Sequence, residues 1–177
     1  MTSTKTLLKV ETAGKWEDGV KTSIQIRDFD SFIIDEPASL GGTDQGAEEQ
    51  IKEQNPVEFV LAGLTGCTSV MIALIAKEQN FTFAGVDFQN IGEIDLQGLK
   101  GVKGVSPHFQ SVTFDVIIKT NESAERLQAL KAEVEKRCPV MNLLLDAGVP
   151  VQSNWEKGRI IENEAKAKSL TGNCLVF

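Results

Sequence analysis

An uncharged, mostly apolar run of eighteen residues is the sequence feature that most restricts how this chain can fold. The run extends from Phe59 to Ala76, which reaches the lower limit of length for a membrane-spanning helix. It also contains two glycines, two threonines, a serine and a cysteine, and no asymmetric cluster of Lys or Arg flanks it. We therefore predict a helix inside a soluble protein rather than a membrane span.

Apolarity around the whole circumference of this helix has a consequence for assembly. A helix of this kind must be surrounded by protein on every side. A chain of 177 residues forms one domain, or one domain and a small appendage, and a domain of that size rarely encloses such a helix alone. We therefore predict a homodimer in which a second subunit covers part of the helix.

The charge and the cysteines exclude several classes of function. Eighteen basic and twenty-five acidic residues give a formal net charge of −7, which repels phosphate, so we predict no nucleic-acid partner and no anionic membrane partner. A single histidine excludes a His-rich metal site. Three widely spaced cysteines without a CxxC pair do not form a disulfide framework, and the N-terminal residues lack a signal-peptide pattern. We predict a reducing, cytoplasmic location.

Hydrophobic periodicity predicts an α+β fold with an antiparallel sheet, because the strands and helices do not alternate regularly. We interpret residues 1–155 as a single domain that contains an acidic insertion at 47–54, and residues 156–177 as a C-terminal tail. The predicted strands cover 7–13, 21–27, 32–34, 85–88, 92–96, 109–119 and 149–155, and the predicted helices cover 55–80, 122–138 and 140–148.

Two cysteines are candidates for chemistry. Cys67 lies in the middle of the apolar helix close to Gly63 and Gly66, which allow a backbone or a small ligand to approach the thiol. Cys138 directly precedes Pro139 at the predicted start of a helix, where free amides favour a thiolate. Taken alone, each cysteine is better explained as a small core residue.

The motifs around these cysteines resemble the OsmC/Ohr family of thiol-dependent peroxidases, in its divergent OsmC-like branch. The matching residues, in order, are Asp35-Glu36-Pro37, Leu40-Gly41-Gly42, Asn55-Pro56, Glu58, Cys67, and Cys138-Pro139-Val140 with Asn142. The resemblance covers roughly residues 7–155. It implies an intertwined α+β homodimer with long central helices and an active site at each subunit boundary.

The resemblance also implies a reaction. In the family's peroxidases the first cysteine attacks a hydroperoxide and the second resolves the product. On this chain Cys67 would form a sulfenic acid with an organic hydroperoxide, and Cys138 would convert it into a disulfide that an external dithiol reopens. This chemistry requires no metal, flavin or haem, so we assign no cofactor.

The group that would activate Cys67 is the weakest part of the match. The peroxidases use an arginine from the N-terminal strands, held by a glutamate ten residues before the first cysteine. Here that position is Val57, and the glutamate follows as Glu58. Glu58 is also the third residue after Asn55, where its carboxylate can cap the helix. Arg27 is the candidate arginine, although its place on the polar face of a strand also suits a solvated side chain, and Lys21 is the fallback.

These observations leave two functions open. Retention of Cys67 and Cys138 favours a two-cysteine peroxidase that uses Arg27 and Glu58 as activating residues. Val57 favours a non-catalytic dimeric module that keeps the scaffold and binds a small molecule in an apolar interface pocket.

Overall fold

The computed structural model describes residues 8–36, 42 and 55–159. The insertion at 47–54, most of the predicted tail and Cys174 lie outside these residues. The chain divides into two compact units, Met1–Val60 and Leu61–Phe177. The described strands are β1 (Thr12–Asp18), β2 (Lys21–Ile26), β3 (Phe32–Ile34), β4 (Gly85–Ile94), β5 (Phe109–Lys119) and β6 (Val151–Gly158). The described helices are α1 (Pro56–Glu78), α2 (Leu96–Leu99), α3 (Ala124–Arg137) and α4 (Pro139–Asp146).

The first unit contains a three-stranded antiparallel sheet in the order β1-β2-β3. Gly19 takes a positive φ of 53° in the turn between β1 and β2, a conformation that glycine adopts without steric cost. The predicted strand at 7–13 is wrong over most of its length, because β1 begins only at Thr12. Thr12 pairs with Ile26, the last residue of β2, so earlier residues have no β2 partner.

Helix α1 begins as its capping residues predict. The Asn55 side chain accepts a hydrogen bond from the Val57 amide at 2.8 Å, and the Glu58 carboxylate accepts one from the Asn55 amide at 3.3 Å. These reciprocal bonds form a capping box. At the other end, the Arg126 guanidinium donates to the carbonyls of Gln79 and Asn80, which satisfies backbone groups that a helix end leaves open.

The second unit contains the sheet β4-β5-β6, and its topology corrects the sequence analysis in two ways. The segments 85–88 and 92–96 form one continuous strand through Ile94 rather than two. The sheet is mixed rather than antiparallel, because β5 pairs antiparallel with β4 but parallel with β6. The connection through α3 and α4 is long enough for the crossover that a parallel pair requires.

The core of the second unit combines one face of this sheet with α1, α3 and α4. The strand predicted at 109–119 and the helix predicted at 122–138 are both confirmed, and each buries one face in this core. The core residues from these elements are Val112, Phe114, Val116 and Ile118 of β5, Leu127, Leu130 and Val134 of α3, Met141 and Leu144 of α4, and Leu64, Ile72 and Ile75 of α1.

Only one face of α1 is buried in the single chain. Leu64, Ile72 and Ile75 are fully buried, whereas Val70 is 58% exposed and Leu74 is 50% exposed. By length and composition α1 could cross a membrane, but the core helix of a soluble protein meets the same criteria. One chain therefore does not surround this helix, and the second subunit remains a prediction.

Candidate active site

Cys138 lies at the corner between α3 and α4. It is the C-cap residue of α3 and the N-cap residue of α4, and its backbone is extended, with φ −72° and ψ 113°. Pro139 accounts for this corner, because proline disfavours the helical conformation in the preceding residue and suits the first position of a new helix. The Cys138 side chain is fully buried, so the corner directs the thiol into the core.

The structure brings the two predicted cysteines together. Cys67 is partly exposed on α1 and packs against the core of the second unit. Interaction with Cys138 contributes to the raised pKa of its thiol, so the two side chains lie close together, and both cysteines are free. The hydroxyl of Thr68, the next residue on α1, lies 3.6 Å from the Cys138 sulfur. The two sulfurs are therefore neighbours, and the Thr68 hydroxyl lies next to the sulfur of Cys138.

Burial raises the pKa of the Cys67 thiol above its ordinary value. The hydrogen bond with Cys138 and the charge of Cys138 raise this pKa further, whereas the backbone amide of Val140 lowers it. Val140 is the second residue of α4, so its amide belongs to the positive end of that helix. The balance favours the protonated thiol, and an additional positive charge would be needed to ionise it.

The amide at the start of α4 binds a different sulfur from the one the sequence suggested. We expected the free amides there to act on Cys138. Cys138 makes no side-chain capping hydrogen bond, and it is Cys67 that receives the Val140 amide. The cap residue turns its thiol into the core, so the helix end faces the thiol on α1.

Asn142 holds the corner in shape. Its Nδ2 group donates to the carbonyls of Glu135 at 3.0 Å, Lys136 at 3.3 Å and Cys138 at 2.8 Å. These carbonyls lie at the end of α3, where backbone acceptors lack partners within the helix. The sequence analysis placed Asn142 in a motif without a role. Its position four residues after Cys138, where a short polar side chain can reach back to the cap, was the available signal.

The N-terminal unit contains the other two predicted site residues. Glu58 is exposed and occupied in the capping box, which confirms the structural alternative for this residue. Arg27 follows β2 in a left-handed conformation with φ 52°, and its guanidinium lies 4.8 Å from the centre of the Phe29 ring. It therefore lies in a turn rather than on the strand where we expected it. Its part in activating Cys67 remains a prediction.

Two of the recognised motifs meet at the start of α1. The Asn55 amide group donates to the carboxylate of Glu36. Burial raises the pKa of Glu36, the negative charges of Asp35 and Glu58 raise it further, and the Asn55 hydrogen bond lowers it. This contact explains why an acidic motif and an Asn-Pro helix start occur together. Among the described residues no cluster of His, Cys, Asp and Glu could hold a metal ion.

The glycines beside Cys67 leave one face of α1 open. Gly63 lies four residues before Cys67 and therefore on the same face of the helix. A Cβ atom added at Gly63 or Gly66 would meet nothing within 4 Å. A small ligand or another backbone can therefore approach the thiol from this face.

Comparison with known proteins decides the family. The family model described as OsmC-like protein matches residues 47–154, more than half of the chain. The chain belongs to the OsmC-like family. No curated protein matches the sequence.

Solved structures of the same fold agree with this assignment. An OsmC-like protein from Mycoplasma pneumoniae has a TM-score of 0.67 and 16% identity, with 87% of this chain and 99% of that chain covered. An organic hydroperoxide resistance protein OsmC from Legionella pneumophila has a TM-score of 0.62 and 19% identity, with 87% and 99% covered. The organic hydroperoxide resistance protein OhrB of Bacillus subtilis has a TM-score of 0.57 and 22% identity, with 86% and 100% covered. These matches confirm the resemblance and the α+β fold.

Proposed function

We propose that this OsmC-like protein is a thiol-dependent peroxidase that reduces organic hydroperoxides. The observation that carries the proposal is the pair of free thiols, Cys67 and Cys138, which come together beside the start of α4 closely enough for Cys138 to raise the pKa of Cys67. Two neighbouring cysteines, one partly exposed and one fully buried, suit the two roles that the reaction needs. The names of the related Legionella and Bacillus proteins support hydroperoxide as the substrate class.

The first step oxidises Cys67. Its thiolate attacks the distal oxygen of the hydroperoxide, an S–O bond forms, the O–O bond breaks, and the alkoxide leaves and takes up a proton to give the alcohol. The sulfur loses two electrons and becomes a sulfenic acid. The open glycine face of α1 offers a small hydroperoxide access to this thiol.

The second step forms a disulfide. The Cys138 thiolate attacks the sulfenic sulfur, the S–S bond forms, and hydroxide leaves and becomes water. An external dithiol then reduces the disulfide by exchange and is itself oxidised to a disulfide. Because this cycle needs a supply of reduced dithiol, we propose that the protein acts in the cytoplasm.

Activation of Cys67 needs charge from outside the thiol pair, since burial raises its pKa. The Val140 amide at the positive end of α4 contributes part of this stabilisation. We propose that Arg27 supplies a full positive charge in the assembled homodimer. The exposed apolar face of α1, with Val70 and Leu74, supports a dimer in which a partner covers this helix.

A second candidate function has its own support. The raised pKa of Cys67 and the use of Glu58 in a helix cap both suit a scaffold without peroxidase activity. On this reading the protein is a dimeric binding module for a small apolar molecule.

Thiol titration distinguishes these two functions. Protein treated with one equivalent of cumene hydroperoxide should lose two free thiols per chain. Cys67→Ser should lose none, and Cys138→Ser should stop at the sulfenic acid, which dimedone traps. Equal peroxide consumption by the parent protein and Cys67→Ser, with a dithiol present, would reject the peroxidase.

A further inference from the structure

The hydroxyl of Thr68 occupies an unusual position for a helical threonine. Thr68 is 1% exposed, directly follows Cys67 on α1, and has its Oγ1 atom 3.6 Å from the sulfur of Cys138. Thr65, one turn earlier, uses its hydroxyl in the common way and donates to the Leu61 carbonyl at 3.2 Å. On the same helix, the Thr65 hydroxyl therefore donates to a backbone carbonyl, whereas the Thr68 hydroxyl contacts a cysteine sulfur.

Burying a hydroxyl is unfavourable unless a hydrogen bond compensates for the lost water. The surroundings of Thr68 are apolar, since Leu64 and Ile72 lie one turn away on the same buried face. A valine of almost the same shape would pack there without a polar atom to satisfy. The contact with the Cys138 sulfur compensates the hydroxyl. Either group can donate while Cys138 is a thiol, and only the hydroxyl can donate once Cys138 is a thiolate.

The Cys138 sulfur thus has two polar neighbours, the Thr68 hydroxyl at 3.6 Å and the Cys67 thiol. Oxidation of Cys67 replaces its S–H group, whereas the Thr68 hydroxyl keeps its place beside the Cys138 sulfur. A hydroxyl that donates to a sulfur favours the thiolate and fixes its position.

We propose that Thr68 is a positioning residue for disulfide formation, holding the Cys138 sulfur against Cys67 and donating a hydrogen bond to its thiolate. This inference rests on the proposed peroxidase function, in which Cys138 attacks oxidised Cys67. The same bond stabilises Cys138 when it leaves as a thiolate during reduction by the external dithiol.

A disulfide-exchange assay tests this role without any peroxide. In a Cys174→Ser background, 2,2′-dithiodipyridine first reaches the partly exposed Cys67 and forms a mixed disulfide with release of one pyridine-2-thione. The Cys138 thiolate then attacks the Cys67 sulfur, and a second pyridine-2-thione leaves as the Cys67–Cys138 bond forms. The rate of the second release measures attack by Cys138 and can be followed by absorbance.

Thr68→Val keeps the shape and removes the donor, so the second release should slow by about tenfold, the effect of one lost hydrogen bond. Thr68→Ser retains the hydroxyl and should restore the rate. The matched control Thr65→Val, which removes a hydroxyl bonded to Leu61 and Asn90, should leave it unchanged. Thr68→Ala also lacks the donor and gives the same test if the valine variant fails to fold.

Rescue by Thr68→Ser separates a donated hydrogen bond from simple packing, because serine keeps the hydroxyl and lacks the methyl group. A parent rate in both Thr68→Val and Thr68→Ala would overturn the inference, as would equal slowing in Thr68→Ser or in Thr65→Val. Failure of cumene hydroperoxide to oxidise Cys67 would instead reject the peroxidase while leaving this exchange result intact.

Discussion

Replacing Asn142 by leucine tests how the thiol corner is built. The Asn142 amide has two hydrogens, shared among the carbonyls of Glu135, Lys136 and Cys138 at 2.8–3.3 Å. Asn142→Leu has nearly the same size but no donor, so it removes the equivalent of two hydrogen bonds. At about 1 kcal/mol each, the free energy of unfolding should fall by about 2 kcal/mol. For a chain of this length the melting temperature should drop by roughly 4–8 °C.

Urea unfolding followed by circular dichroism measures this change directly. Asn154→Leu is the matched control, because the Asn154 amide donates one hydrogen bond, to Asp115 at 2.8 Å, on the sheet away from the cysteines. Asn154→Leu should cost about 1.5 kcal/mol, because the acceptor is a carboxylate, and it serves as a control of similar destabilisation. Asn142→Leu should also slow attack by Cys138 in the exchange assay, whereas Asn154→Leu should not. Parent stability in Asn142→Leu would show that its side chain does not hold the corner.

Four further results are expected. Glu58→Gln should keep both the capping box and the peroxidase activity, because glutamine can make the same capping hydrogen bond. Glu58→Ala should lower the free energy of unfolding by about 0.5 kcal/mol. Loss of activity in Glu58→Gln without loss of stability would show that the charge of Glu58 is catalytic. Burial raises the pKa of Cys67. In a variant whose other cysteines are serine, the alkylation rate of Cys67 should therefore begin to rise at a higher pH in the folded protein than in the protein unfolded in urea. The reverse order would contradict this. The same shift should make the folded state lose stability as pH rises through the Cys67 pKa. Arg126→Met should lower the free energy of unfolding by about 1 kcal/mol, because it removes the donor to the carbonyls of Gln79 and Asn80. Unchanged urea unfolding would show that Arg126 does not stabilise the C-terminal end of α1.

Local sequence rules were sufficient for the helix and for the central strand. Asn55, Pro56 and Glu58 predict the start of α1 from capping chemistry alone, and the alternation along β5 predicts its buried face. The parallel pairing of β6 could not be read in the same way, because a strand alternates with period two whether its neighbour is parallel or antiparallel.

The site was harder to predict because its contacts join distant parts of the chain. Spacing along the sequence does not determine whether Cys67 and Cys138 meet, so their pairing was an expectation from family resemblance. Thr68 was missed as a functional residue because its partner is a sulfur, which leaves no complementary residue pattern. Asn142 was left without a role because its partners are backbone carbonyls, and only its spacing from Cys138 indicates them. The source of positive charge for Cys67 was hard to predict for the same reason, because Arg27, the proposed source, belongs to the N-terminal unit.

Peptide mapping after oxidation tests the central claim most directly. The protein is treated with one equivalent of cumene hydroperoxide, digested without reductant and analysed by tandem mass spectrometry. We predict one cross-linked species that joins the Cys67 and Cys138 peptides and disappears on addition of dithiol. Unmodified Cys67 and Cys138 peptides after complete mixing with peroxide would contradict a redox function for this thiol pair.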